Sequence, residues 1–237
     1  MSSVESTPRA KDSGSVSGGM EGRDALRWQF DWRCEKWSEE AVDFVRKSLE
    51  KQGTSHIQDG NEYVNGIAVP RMIPIEHGIT SEILRRYVQP EAVEEIPGNL
   101  LLNEGIQRLE DLLIAAGGTA FNNANAFIGV GDTATAEAAS QTELLATQNA
   151  ANRFYKAMVA SYPQRPGSNG AQSVDWRSDF TSTEANFAWQ EWTIAAGATT
   201  ASGSGFLVGT INLNRKVQSL GTKTTGTWTM TGTVTIS

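Results

Sequence analysis

The sequence predicts a mainly β protein, an antiparallel β-sandwich or barrel preceded by one amphipathic helix, with a helical and irregular N-terminal segment ahead of it. Three observations point there. Beyond Pro97 the chain turns rich in Thr, Ala, Gly and Asn, with eight basic and ten acidic side chains over 99–237. That stretch holds strand-like runs separated by turn residues: AFIGVG, FYKAMVASY, SVDWRSDF, NFAWQEWTI, FLVGTINLNRKV and TGTWTMTGTVTIS. The last of these alternates strictly, with Trp228, Met230, Val234 and Ile236 on one side and Thr227, Thr229, Thr231, Thr233 and Thr235 on the other. A period of two places one face on a core and the other toward water or a partner.

Taken from the N-terminus, residues 1–22 are rich in Ser and Gly and almost without large apolar side chains. Such a segment cannot offset the entropy of ordering by itself, so it reads as a flexible arm or one ordered by a partner. Residues 23–97 are charge-dense with an acidic excess. Trp28, Phe30 and Trp32 alternate as in a short strand with one aromatic face. SEEAVDFVRKSLEKQG reads as a helix: Ser38 caps it, Glu39 and Glu40 suit its positive end, and Lys47 and Lys51 suit the other. Val42, Val45 and Leu49 form its apolar stripe, and Gly53 stops it. TSEILRRYV is a second helical piece ending at Pro90, and the remainder reads as loop because Pro70 and Pro74 interrupt it. So little regular structure suggests a segment that wraps over something else. The domain boundary is therefore expected at 97, with residues 98–237 forming the β domain and its leading helix. In that helix, NLLLNEGIQRLEDLLIAAGG, the stripe is Leu102, Ile106, Leu109, Leu112 and Leu113, and Gly117-Gly118 end it.

Composition narrows the function classes. The 237 residues carry a net charge of −7 and a pI near 5.0, which argues against binding a nucleic-acid backbone. Cys34 is the single cysteine, so neither an intrachain disulfide nor a cysteine-based zinc site is expected. His56 and His77 are the only histidines. No cofactor or metal is expected. No apolar run is long enough to span a membrane, and the N-terminus lacks a signal-peptide core.

GVGDTA at 129–134 fits the weak form of the dinucleotide fingerprint, yet an Ala- and Thr-rich stretch follows it where a helix and a parallel strand are needed. A tight turn needing glycine explains the residues more cheaply. Asp175, Asp179, Glu184 and Glu191 lie near aromatics, as a glycosidase carboxylate pair would, but no spacing marks a pair. In TEANFAWQEWTIAA, Phe187, Trp189 and Glu191 share one strand face while Trp192 and Ile194 share the other. The apolar phase switches between the tryptophans, as at a β-bulge; a short helix would instead put both on one face. A matching anomaly appears in TINLNRKV, where Arg215 lies among Ile211, Leu213 and Val217. A buried carboxylate and guanidinium are tolerated when paired. Glu191 and Arg215 are therefore expected to pair inside or at the edge of the sandwich, with Trp189, Trp192 and Trp228 as structural aromatics around them. Trp28, Trp32 and Trp37, three tryptophans close together, are candidate partner contacts.

The ordered set GNLLLNEGIQRL, NAFIGVGDT with SQTELLA, EANFAWQEWTI, LNRKVQSLGTK and TWTMTGTVTIS resembles a family of structural proteins of tailed bacteriophages, over roughly residues 98–237. GVGD…SQTEL ahead of a β domain whose strand carries Glu191-Trp192 is also similar to the collar domain of phage tail fibres. The resemblance implies a non-enzymatic virion protein, assembled in the host cytoplasm. It implies a capsid decoration or cement protein that contacts the major capsid protein and bridges subunits. A tail, collar or fibre-base adaptor contacting tail or collar proteins is the alternative. Homo-oligomers, trimers among them, belong to both classes, and neither a membrane nor nucleic acid is an expected partner. An enzyme acting on polysaccharide or cell wall is the third and most distant reading. No catalytic residues come with the resemblance.

Overall fold

The computed structural model describes residues 28–64, 67–75, 78–167, 172–197, 202–203 and 210–236. The arm expected over 1–22 lies outside the described residues, as does His77. Two antiparallel sheets face each other. The smaller has the order β4-β1-β13-β8, formed by β1 (Trp28–Trp37), β4 (Ala92–Pro97), β8 (Gln172–Phe180) and β13 (Thr227–Ile236). The larger follows β10-β7-β6-β9-β12-β5 with β11 beside β9. Its members are β5 (Leu100–Leu101), β6 (Ala126–Gly131), β7 (Arg153–Ala157), β9 (Ala188–Ala196), β10 (Ser202–Gly203), β11 (Ile211–Asn212) and β12 (Asn214–Thr222).

Between the sheets lies one apolar core. Alternation on β1 sends Phe30, Trp32 and Cys34 into it, and alternation on β13 sends Trp228, Met230 and Val234. The facing sheet contributes Ala126, Ile128 and Val130 from β6 and Trp192, Ile194 and Ala196 from β9. Gly232 is part of this design: a Cβ there would stand 2.9 Å from the Trp32 ring and 3.1 Å from Ile194. Burial holds the Cys34 thiol up at about 12, so it stays protonated and unreactive.

The boundary expected at residue 97 does not separate two packing units. β1 runs antiparallel to β13 from Trp28↔Ile236 to Trp37↔Thr227 and pairs with β4 on its other edge. An interior strand cannot wrap over a domain of which it is a part. What does lie over the sheet is the excursion between β1 and β4, made of α1 (Glu39–Lys51), the hairpin β2 (His56–Val64) and β3 (Ile67–Pro74), and α2 (Ser81–Tyr87). The α1 region follows local rules: the Ser38 hydroxyl accepts from Ala41 N, Val42, Val45 and Leu49 are buried, and Gly53 takes φ +77°. The hairpin replaces the loop expected around the prolines. Pro70 faces Asn61 beside a register shift and Pro74 ends its strand opposite His56, two positions where a missing N–H is tolerated.

This excursion has its own core of Trp37, Val42, Val45, Leu49, Ile57, Ile75, Ile79 and Leu84. It also changes the threonine face. Thr227, Thr229 and Thr231 are buried beneath it, whereas Thr233 and Thr235 are half-buried. The leading helix α3 (Asn103–Leu113) starts later than expected because Leu100–Leu101 pair with β12, and it ends before the glycines, with Ala115 at φ 57°. Its Gly105 lies against the Leu213 backbone where no Cβ fits. The apolar stripe is only partly covered: Leu109 and Leu112 pack on the core, while Ile106 and Leu113 are exposed.

Candidate functional site: a buried ion pair beneath a polar strap

β6 and β9 pair so that each row shares a face: Val130↔Trp192 and Ile128↔Ile194 look inward, and Gly131↔Glu191, Gly129↔Thr193 and Phe127↔Ala195 look outward. Trp189 nevertheless lies in the inner core with Trp192, three positions away. The phase therefore switches as the sequence suggested, and the β9–β12 ladder shifts register here, between Val217↔Glu191 and Gly221↔Trp189. The extra residues sit on β12, opposite the tryptophan pair. The switch turns Glu191 away from the tryptophans and onto the outer face.

There Glu191 meets Arg215, both fully buried. Arg215 Nε donates to Glu191 Oε2 at 2.6 Å. The carboxylate also accepts from Ala146 N at 2.7 Å and Leu145 N at 3.2 Å. The other guanidinium nitrogens donate to Ala136 O, Gln141 Oε1 and Thr135 O at 3.1, 2.8 and 2.8 Å. One ion pair thus straps down the irregular segment 132–149. Glu137 adds a bond from Val217 N at 2.6 Å, and Glu143 pairs with the buried Arg153 at 2.9 Å. Glu191 and Arg215 each have their hydrogen-bond complement, the condition under which burial of a pair is tolerated. Gly131 belongs to this site: a Cβ would come within 2.5 Å of Glu191 Oε1 and 2.9 Å of Ala146. Gly129 leaves room in the same way for the Tyr155 ring. These glycines sit inside a strand and permit close approach, which replaces the tight turn expected for GVGDTA. Antiparallel neighbours and the absence of a following helix remove the dinucleotide geometry.

The aromatics expected around the pair lie on the opposite face of the sheet. Trp189 stacks edge-on against Phe180 and Trp228, with centroids 4.7 and 5.0 Å apart, and Trp192 does so against Trp32 at 6.2 Å. Trp189 and Trp192 are wholly buried and Trp228 nearly so, leaving no aromatic surface there for a sugar ring. The three candidate partner tryptophans divide. Trp32 lies in the main core and Trp37 in the core of the excursion, so neither presents a contact surface. Trp28, at the start of β1, is 49% exposed.

The remaining carboxylates are held separately. Asp179 is buried 98 positions from Ser81, yet accepts from Ser81 N at 2.6 Å at the start of α2 and from the Thr229 hydroxyl at 2.7 Å. Burial raises its pKa despite those donors. Glu184 takes Lys156 at 2.8 Å and the Thr181 amide at 2.9 Å, and Asp175 takes the Thr233 hydroxyl at 2.8 Å. Sequence reasoning missed Glu35, Lys223 and the capping role of Asp179. Glu35 was signalled by the charged alternation of Asp31, Arg33 and Glu35 on β1. Burial pushes its carboxyl up, but Arg85 and Arg33 outweigh that and its pKa lies below the ordinary value. Lys223 donates to Thr181 O and Asn186 Oδ1 at 2.7 and 2.9 Å, with no local signal. Among the described residues no three His, Cys, Asp or Glu side chains gather as a metal site, and no helix is long and apolar enough to cross a membrane.

Fold and site define a two-sheet antiparallel protein with a polar, ion-paired strap over one sheet. Compared with known proteins, the chain matches no family model, no curated protein and no solved structure.

Proposed function

We propose that this chain is a non-enzymatic structural component of a tailed-phage virion, a capsid decoration or cement protein that stabilises the head by bridging subunits. The observation that supports this reading is an apolar surface at one end of the sandwich. Trp28, Ile106, Leu113 and Ile114 are 49, 40, 85 and 73% exposed, and around them Leu101, Leu109, Leu112 and Ile236 line a groove of about 720 Å³. Apolar groups exposed together in this way mark an interaction surface, because water gives them no compensation. A sedimentation assay tests the reading: the recombinant chain is mixed with capsid shells lacking it and, separately, with isolated tails. Saturable binding to shells at a fixed ratio to the major capsid protein, weakened by Leu113→Asp, is the expected outcome. Binding to tails alone, at a few copies each, replaces it with the tail or collar adaptor, and binding to neither removes both.

A further inference from the structure

We propose that the outer face of the smaller sheet carries a binding site for an oxyanion, a carboxylate or a phosphate, in the hollow between Arg33, Arg85 and Arg177. The strand register assembles it. Arg33 pairs with Thr231 across β1 and β13, and Thr231 pairs with Arg177 across β13 and β8. Adjacent strands lie about 4.8 Å apart, so the two arginine stems stand about 10 Å apart with the threonine midway. α2 brings Arg85 to the same place, and Arg33, Glu35, Arg85, Gln89, Val93 and Arg177 border a hollow of about 440 Å³.

Three guanidiniums border this hollow with one deep carboxylate, Glu35, whose oxygens are both taken: Oε1 accepts from Arg33 at 3.0 Å and Oε2 pairs with Arg85. Asp175 and Asp179 flank Arg177 on its own strand face, where alternation places all three. Arg33 has a second partner in Glu95 at the open edge. Arg177 has none. Its Nε donates to the Thr231 hydroxyl at 3.1 Å, and its guanidinium stacks 4.4 Å above the centre of the Tyr162 ring. Among the described residues no acceptor takes its two terminal nitrogens, and the nearby Asp175 is engaged by Thr233. A fork fixed at Nε and by stacking on a ring, with its outer N–H groups unused, is pre-organised for two acceptor oxygens. The Gln89 amide, exposed at the border, supplies a further donor. The site stands apart from the virion reading and does not depend on it.

Titration calorimetry of the full chain with sodium phosphate and, separately, sodium succinate, at constant ionic strength, tests the proposal. The expected result is saturable binding of at least one anion, weakened about tenfold or more in Arg177→Gln, since a charge-assisted bidentate contact is lost. Arg177→Lys keeps the charge and the ring contact but loses the fork, and is expected to bind more weakly than the natural chain. It serves as the deciding variant if Arg177→Gln does not fold. Binding of phosphate alone assigns the site to a phosphate group, and binding of succinate assigns it to carboxylates. Saturable binding of neither, or binding unchanged in both Arg177 variants, overturns the proposal.

Discussion

The cover over the larger sheet, residues 132–149, contains almost no regular structure and few apolar side chains, whereas the cover over the smaller sheet, residues 38–88, is two helices and a hairpin around an apolar core. Leu144 and Ala146 are the buried apolar anchors of the first. The rest of its attachment runs through Glu191, Arg215, Arg153 and Asn212, which bond its backbone or its side chains, and through its own Glu137, which accepts from Val217 N. The second is held mainly by the burial of Trp37, Val45, Ile79 and Leu84, with Asp179 and Glu35 fixing where α2 sits. A segment too polar to bury itself by the hydrophobic effect can still be ordered, provided buried charges are matched donor for acceptor. The two covers are therefore expected to fail differently.

The largest failure belongs to the polar cover. Glu191→Gln leaves the Arg215 guanidinium buried without its countercharge, which costs about 3–5 kcal/mol. Urea unfolding is expected to show that loss, and hydrogen exchange to show 132–149 opening before β6 and β9. A loss well under 1 kcal/mol would mean that the backbone carbonyls alone hold Arg215, and the contrast between the covers would collapse. For the apolar cover, Leu84→Ala is expected to cost about 3 kcal/mol through lost burial and a residual cavity. Exchange is then expected to rise in α1 and α2 while 132–149 keeps its protection. Opening of both regions together would show that the covers are one cooperative unit.

The smallest effect concerns the seam between them, where Lys223 bonds the 181–186 turn and lies in the field of Glu39 at the start of α1. Burial lowers its ammonium to about 8, against the partial opposition of Glu184 and Glu39. Between that value and the ordinary lysine range the unfolded chain holds a proton that the folded chain has released. Folding stability from this group therefore rises with pH across that window and is least below it. The stability of the natural chain relative to Lys223→Met is expected to increase from about pH 8 to pH 10 in urea unfolding. A difference that does not change with pH would place the folded-state ammonium at its ordinary value.

Much of the fold was legible because the signals are local. The alternation of Phe30, Trp32 and Cys34, and of Trp228, Met230 and Val234, is a property of a few neighbouring residues. Ser38 and Gly53 likewise announce their helix within its own turns. The ion pair was legible for a related reason: Glu191 and Arg215 each break an apolar pattern, and two misplaced opposite charges suggest one another. The face on which they meet was not legible. It depends on the register shift between β9 and β12, and the strap they hold is bonded across 45 to 80 positions.

The sequence by itself determined the class of fold, the strands of both sheets except β4, β5 and β10, the first helix with its cap and stop, and the partnership of Glu191 with Arg215. Only the tertiary structure decided that β1 is an interior strand, that Trp32 and Trp37 serve two different cores, that Asp179 caps a helix 98 positions away, and that Arg33, Thr231 and Arg177 form one row. Periodicity and capping are written in residues a few positions apart. Strand pairing and the matching of buried charges join residues that the chain separates, and only their position in space brings them together.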